Sequence, residues 1–467
     1  MAKDRVLDFF KEISEVPRCS GKEQRIRQFL KKFAKENKLN FKQDSYGNCI
    51  IYKAGSKGTV VLQAHLDMVC EKEEEFDFDF SKKGPEIKIK RGWLTANHTT
   101  LGADNGIGVA MILDILSQKN LSFVKGLFTV EEEIGLKGAK YIEGSFLEGS
   151  YLINCDGGGD DTIVIGSADG IDVKVKIPLK RKNFSKGKIF DLKITGLMGG
   201  HSGLDIGLKR ANAIKIAAEV ILKISGKNST GIYQFEGGTK INAIPRNAEV
   251  VFSTKKTLSQ IKKIIKNVKK RSSFEKNLKI EICEGENKKE KKAIDEKDTK
   301  RILKMLLDFP HGVFVKKKGA VLSSSNLARI FIRKNQANIE FFLRSLYEKD
   351  SQELLKKISD ISTQNKGVIV VEKLFPSWNL HGNSRILRKA VRVYKKLFKK
   401  APQIKKVHAG IECAYFYKKH PQLEIISIGP SIKNLHTPYE RVKISSVKKT
   451  TRFLKELILT LSDEGCG

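Results

Sequence analysis

Val61–Asp67, VLQAHLD, is the stretch whose reading decides the fold. Thr59–Leu62 reads as a short buried strand that runs into His65 and Asp67, and strand alternation points those two side chains to one side at the strand's C-terminal end. Open α/β sheets keep their chemistry at that end. A neutral imidazole suits a borderline-soft cation such as zinc, and a carboxylate two positions along can hold or orient that ligand. H-x-D alone also fits a surface loop, so the weight falls on later stretches.

In TLGADNGIGVAMILDIL, Asp104 falls where a helix N-cap would lie, and Gly108–Leu116 continues as a buried helix. As a plain cap Asp104 would bond its own helix's amides; set near His65, it could bridge two cations. The strand-like run Ser122–Val130 ends in Glu131, Glu132 and Glu133. Three adjacent carboxylates at the end of a buried strand are costly to desolvate without positive charge close by, whereas a solvated acidic turn needs none. Tyr151–Cys155 is another apolar strand, ending in Asp156 before GGGDD. Asp67, Asp104, Glu133 and Asp156 thus all stand near the ends of apolar segments.

The chain has 467 residues, more than one core usually organises, so at least two domains are expected. Its net charge of +35 comes from 88 Lys and Arg against 53 Asp and Glu. That balance would suit a polyanion, but lysine lies along nearly every helix face, densest in Lys255–Lys300, without aromatic interleaving or an RNA-binding signature. The expectation is a solvated basic surface and no specific nucleic-acid partner. Seven scattered cysteines without C-x-x-C read as reduced, mostly buried thiols. MAKDRVLDFF opens directly on a helical period and no apolar run reaches membrane-spanning length, so the expectation is a soluble cytoplasmic protein with no membrane partner.

Helices are expected at Arg5–Ser14 and Gly21–Glu36, strands at Asn48–Lys53 and Thr59–Gln63, and a hairpin-like excursion at Cys70–Arg91. From Ile171 the character changes to alternating strands, a Gly-rich loop LMGGHSGLDIG, a helix over Lys209–Ile224 and a basic helix near Leu258–Lys269. Glu284–Thr299 reads as an exposed loop. The strand, strand, helix order recurs later with similar spacing, suggesting a diverged internal duplication. Apolar strands and amphipathic helices then resume, closing with a helix over Ser446–Leu461. The simplest architecture is one α/β domain, residues 1–171 and 374–467, interrupted by an inserted domain at 172–373.

Taken in order, H-L-D-M-V, T-L-G-A-D-N-G, E-E-x-G-x-x-G-A, I-N-x-D, G-G-H-S-G, H-A-G-I-E-C and G-P-x-I-x-x-x-H-[ST]-P resemble the aminoacyl-histidine (Xaa-His) dipeptidases, a branch of the co-catalytic zinc peptidases. The resemblance spans most of the chain. It implies an α/β fold in which a mixed-sheet, zinc-exopeptidase-like catalytic domain carries an inserted α+β lid and dimerisation domain. It also implies two divalent ions, zinc first, with cobalt or manganese as substitutes. His65 and Asp156 would hold one, Glu133 and His436 the other, and Asp104 would bridge them. Asp67 would orient His65, and Glu132 would be the general base. His201 would stabilise the oxyanion, reaching the neighbouring subunit's site in related dimers. Asn242 with Arg344, or else Arg246, would hold the substrate's C-terminal carboxylate; Arg344 is favoured by its strand-end position. The implied partners are a short peptide substrate and a second copy of the chain.

Such ligands polarise any amide carbonyl alike, so an aminoacylase, a deacetylase or a tripeptidase remains open beside the dipeptidase. A basic binding protein without activity on the same fold would lack a ligand or the base, and here all seven positions are filled. His98, His311, His381, His408 and His420 have no partner at ligand spacing and read as structural or exposed, and Trp378 reads as core. Glu412 has no required catalytic part and could line the substrate-amine end of the pocket.

Overall fold

A computed structural model describes residues 4–53, 60–119, 121, 123–183, 187–226, 230–285, 292–317 and 319–462. The chain divides into two compact units, one of residues 1–167, 378–407 and 411–467, the other of 168–377 and 408–410.

The first unit is built on a mixed sheet of β1 (Asn40–Gln43), β2 (Cys49–Tyr52), β3 (Val60–His65), β4 (Val124–Thr129), β5 (Tyr151–Asn154), β6 (Thr162–Ser167), β7 (Trp378–Asn379), β8 (Gln403–Val407) and β9 (Glu424–Ser427). Its order is β1-β2-β4-β3-β5-β9-β6-β7, with β8 also on β6. β3 runs parallel to β4 and β5, and all six of its residues are buried, as expected for a strand covered on both faces. Register pairs His65 with Thr129 and Gln63 with Asn154, so the C-terminal ends of β3, β4 and β5 lie side by side.

Helices α1 (Arg5–Glu15), α2 (Gln24–Glu36), α3 (Ala103–Leu116), α4 (Arg385–Phe398), α5 (Cys413–Lys419) and α6 (Ile444–Ser462) belong to this unit. α1 buries Val6, Phe10 and Ile13, spaced three and four apart, and packs on α3, while α4 packs on α6. α3 is buried nearly all round, which its lack of charge after Asp104 except Asp114 permits. The expected excursion contains the hairpin Ile87–Lys90/Trp93–Ala96, extended into a small sheet by Arg441–Lys443 and then Ile432–Lys433. The loop between those last two strands carries His436.

The second unit is a mainly antiparallel sheet around the long hairpin Ala320–Arg333/Gln336–Ser345, with Gly170–Pro178 on one side and Thr230–Gly237 on the other. The helix Ala213–Ser225 lies in its core, started by Asn212, whose side chain accepts from the Ile214 and Lys215 amides.

The structure departs from the sequence reading in several places. Asp104 is not a cap: Gly102, left-handed at φ 69°, takes that position, and Asp104 has extended geometry (φ −83°, ψ 109°) within the first turn. Its carboxylate is thereby freed from the helix amides. Cys19 and Cys70 form a disulfide with Cα atoms 5.6 Å apart, brought together where Cys19 bridges to Met68. Cys49, Cys155 and Cys413 are buried thiols, Cys283 is exposed, and Cys466 lies outside the described residues. Much of Glu284–Thr299 also lies outside them, but Ala293 and Ile294 are fully buried and a helix starts at Glu296, so that stretch is not an exposed loop throughout. Thr59 and Ser122, the expected first residues of two strands, are likewise outside. The β6 strand after GGGDD had no counterpart in the sequence reading. Among the described residues no helix is long and apolar enough to cross a membrane.

Gly157, next to Asp156, sits against Gly429: a Cβ at Gly429 would lie 2.1 Å from the Gly157 carbonyl oxygen. Gly429→Ala is expected to destabilise the first unit by roughly 1–3 kcal/mol through backbone displacement. Urea unfolding monitored by tryptophan fluorescence checks this, since Trp93 and Trp378 both lie in that unit.

Candidate metal centre

The residues singled out at strand ends converge in the first unit. His65 closes β3, Glu132 and Glu133 follow β4, and Asp156 follows β5. Asp104 comes from the first turn of α3, and His436 from its loop at φ 61°. His65 Nε2 lies 3.0 Å from Asp104 Oδ1 and 3.9 Å from Asp156 Oδ1. His436 Nε2 lies 3.0 Å from Glu133 Oε1 and 3.4 Å from Asp104 Oδ2. The two Asp104 oxygens therefore face different histidines. Ligand atoms of His65, Asp104 and Asp156 fall within 4.8 Å of one another, and so do those of Asp104, Glu133 and His436. A third such trio, His65, Glu132 and Glu133, places Glu132 beside the other two.

Asp67 is fully buried beneath this group. Its Oδ1 accepts from the Glu132 amide at 3.0 Å, and its Oδ2 from the Glu133 amide at 3.1 Å and the Ser20 hydroxyl at 2.8 Å. The His65 Nδ1 stands 3.4 Å from Oδ1 and 3.2 Å from the Asp67 carbonyl. The Asp67 carboxylate thus stands against the imidazole and bonds the turn that presents both glutamates.

Two residues that the sequence reading passed over hold the loops around it. Arg18 is 1% exposed and donates to the carbonyls of Leu66, Asp67 and Gly102. Glu440 accepts from the amides of Leu101, Gly102 and Asp104 at 2.9, 3.0 and 3.2 Å. Glu440 stands just past the G-P-x-I-x-x-x-H-[ST]-P motif, four residues after His436, whereas Arg18 carries no local signal. Behind the ligands, Gln63 Oε1 accepts from Asn154 at 2.6 Å. Glu412 accepts from Gln63 and Thr129 at 2.6 and 2.9 Å.

The electrostatics are those of a site short of positive charge. Burial pushes the Glu132 and Asp156 carboxyls well above the usual carboxylate range, and neighbouring carboxylates add to the effect. Glu412 is pushed up to about 7, also by burial first. Burial alone would lower His65, but its bonds to Asp104 and Asp67 raise it well above an ordinary imidazole. His436 is raised to about 10 by its bonds to Asp104 and Glu133. Asp104 and Asp67 move down despite burial, held by their histidine partners. Three carboxylates with two imidazoles form a donor set suited to two divalent ions.

A family model for peptidases of the M20/M25/M40 group matches residues 61–460. The chain belongs to that family. This M20 peptidase is 33% identical to the cytosol non-specific dipeptidase of Escherichia coli (strain K12), over 97% of this chain and 96% of the relative. It superposes on the crystal structure of an aminoacylhistidine dipeptidase from Vibrio alginolyticus with a TM-score of 0.85 and 28% identity, covering 98% and 97% of the two chains. A tripeptidase from Staphylococcus aureus subsp. aureus shares the fold at 16% identity and TM-score 0.59, over 98% of each chain. The resemblance read from the motifs and the expected α/β, mixed-sheet fold both hold.

His201, Asn242, Arg246 and Arg344 of this M20 peptidase lie in the second unit and are described within it. His201 Nε2 is 3.5 Å from an Arg344 terminal nitrogen, and its Nδ1 accepts from the Gly203 and Leu204 amides. Arg344 is 4% exposed, with its guanidinium 4.6 Å over the Phe342 ring and its second terminal nitrogen unbonded. Asn242 is exposed and gives its carbonyl to the Ser202 amide. Arg246 commits its Nε to the Leu197 carbonyl. His408 and His311 are buried and lowered to about 3 by burial, with His408 bonded to Ser324 at 2.7 Å, and His98 pairs with Glu73 at 2.5 Å. Trp378 is fully buried.

His65, His436, Glu132 and Asp156 are all raised in the folded, metal-free protein, so the folded state holds more protons than the unfolded one. That part of its stability is present at low pH and is lost as pH climbs through the folded values. After chelation, the Tm is expected to fall between about pH 6.5, the ordinary imidazole value, and about 10, where His436 titrates. Asp104 and Asp67 act in the opposite sense only below their ordinary value of 3.8. Zinc should restore the Tm most at the alkaline end. Differential scanning calorimetry across that range checks it, and a chelated Tm that rises with pH would contradict the cluster's charge balance.

Proposed function

We propose that this chain is a dinuclear metallo-dipeptidase acting on unblocked dipeptides, those of Xaa-His type among them. The observation that carries this reading is Asp104, whose two oxygens face His65 on one side and His436 on the other. In this reading His65 and Asp156 would hold one ion and Glu133 and His436 the other, with Asp104 shared between them. Two divalent ions, zinc first with cobalt or manganese as substitutes, supply Lewis acidity for the scissile carbonyl and the attacking water.

The chain's own residues do the rest. Glu132 takes the proton from the attacking water and returns it to the leaving amine, one carboxylate serving both transfers. Asp67 is a positioning residue, acting through His65 and through the amides of Glu132 and Glu133. His201 stabilises the oxyanion, and Arg344, with Asn242, holds the substrate's C-terminal carboxylate. Arg344's unbonded nitrogen supports it over Arg246 for that part. We further place the protein in the cytoplasm as a homodimer formed through the second unit, the residues 172–373 acting as the inserted lid domain.

Glu132→Gln is expected to lower kcat by roughly 10²–10⁴-fold with bound metal unchanged, because it removes a proton carrier and no ligand. Loss of metal in that variant, read by elemental analysis, would mean Glu132 and Glu133 exchange parts. The substrate class is tested by turnover of Ala-His, Gly-Gly-Gly and N-acetylalanine. Turnover confined to the acetylated compound would make the protein an aminoacylase or deacetylase. His201→Ala should also lose turnover while keeping metal, and mixing it with Glu132→Gln should recover activity if the imidazole crosses between subunits. A mixed dimer with no recovered activity would keep His201 within its own subunit.

A further inference from the structure

Glu412 is a buried carboxylate that the centre described above does not use. It is 1% exposed and precedes the short helix α5, yet its side chain caps nothing there. It reaches instead under the strand ends, where Oε2 accepts from Gln63 Nε2 at 2.6 Å and from Thr129 Oγ1 at 2.9 Å. Gln63 is fixed in turn by Asn154. These partners stand on β3, β4 and β5, with Gln63 two residues before His65 and Asn154 two before Asp156. The carboxylate is therefore held rigidly on the His65–Asp156 side of the centre. Its other oxygen, Oε1, has no hydrogen-bond partner and is buried.

An unpartnered, buried carboxylate oxygen is costly unless a cation or a donor meets it. Two divalent ions would offset the carboxylates of Asp104, Glu133, Asp156 and Glu132, leaving the Glu412 charge uncompensated. Gln63 and Thr129 hold Oε2 under the strand ends that lead to His65 and Glu132, so the unmet Oε1 stands on that side of the centre. In an unblocked peptide the group one carbon from the scissile carbonyl is the α-ammonium, a cation with three donors. N-acyl substrates carry a neutral amide there.

We propose that Glu412 Oε1 binds the α-ammonium of the substrate's N-terminal residue, making Glu412 the residue that selects free peptides over N-acylated ones. This rests on the dipeptidase reading and deepens it. Gln63 and Thr129 are positioning residues in the proposal, each holding the oxygen that does not touch the substrate.

The test compares Ala-Ala with propionyl-Ala, which lacks only the amine, on metal-loaded wild-type protein and on Glu412→Gln. Wild type is expected to favour Ala-Ala strongly in kcat/KM. The variant should lose roughly 10- to 100-fold on Ala-Ala, mostly in KM, and change less than about twofold on propionyl-Ala. Metal content and Tm should stay at wild-type values. Equal losses on both compounds, or none on either, would overturn the proposal. Because the Glu412→Gln variant could fold poorly, the Glu132→Gln protein, which keeps Glu412 and is catalytically silent, is also titrated calorimetrically with both compounds. Equal affinity for the two there would overturn it as well. The dipeptidase reading fails separately, if wild type cleaves no unblocked dipeptide at all.

Discussion

Mutual repulsion among carboxylates is the constraint that organises the first unit. Asp67, Asp104, Glu132, Glu133, Asp156 and Glu412 all act on one another or on His65 in a buried setting. Chains do not gather such charge without a compensating reason, since each buried, unpaired carboxylate costs several kcal/mol by itself. Asp67 shows how the arrangement is kept in place. Its two oxygens are saturated by the Glu132 and Glu133 amides and Ser20, so the turn after β4 and the end of β3 cannot drift apart independently.

Arg18 is the buried cation that this packing already contains. Its fork spans the carbonyls of Leu66, Asp67 and Gly102, joining the end of β3 to the turn before α3, and burial lowers it only to about 10, so it stays charged. A lysine could not make the same three contacts from one planar head. The cation neutralises part of the acidic layer without entering it, which leaves the inward faces of Asp104, Glu133 and Asp156 for something else.

The sequence made the inner residues legible and the supporting ones opaque, for a physical reason. His65, Glu133 and Asp156 each end an apolar run, so periodicity alone places them at the rim of a sheet, and the ordered motifs supply His436 and Asp104. Arg18, by contrast, bonds across 48 to 84 residues, and Glu412 meets Gln63 across 349. No local pattern announces contacts of that range. Residue type and position left Asp104 open as a cap or a bridge between cations; the left-handed Gly102 two residues earlier takes the cap position and leaves the carboxylate free. The Cys19–Cys70 link escaped for the same reason as Arg18, since a spacing of 51 residues has no signature. The unpredicted β6 follows a glycine-rich run that masked a fully buried strand.

Strands fix only part of the centre, which raises the question of what holds the rest. Asp104 stands on a kinked helix start and His436 on a loop, both mobile kinds of backbone in isolation. Glu440 answers it. It stands four residues after His436 in the same loop and accepts the amides of Leu101, Gly102 and Asp104. The loop that delivers one histidine thereby also suspends the turn that delivers the shared carboxylate. The same loop therefore supports both His436 and Asp104, which stand 3.4 Å apart. Asp104 and His436 are thus a loop-borne pair joined by Glu440, set against the strand edge that carries His65, Glu133 and Asp156.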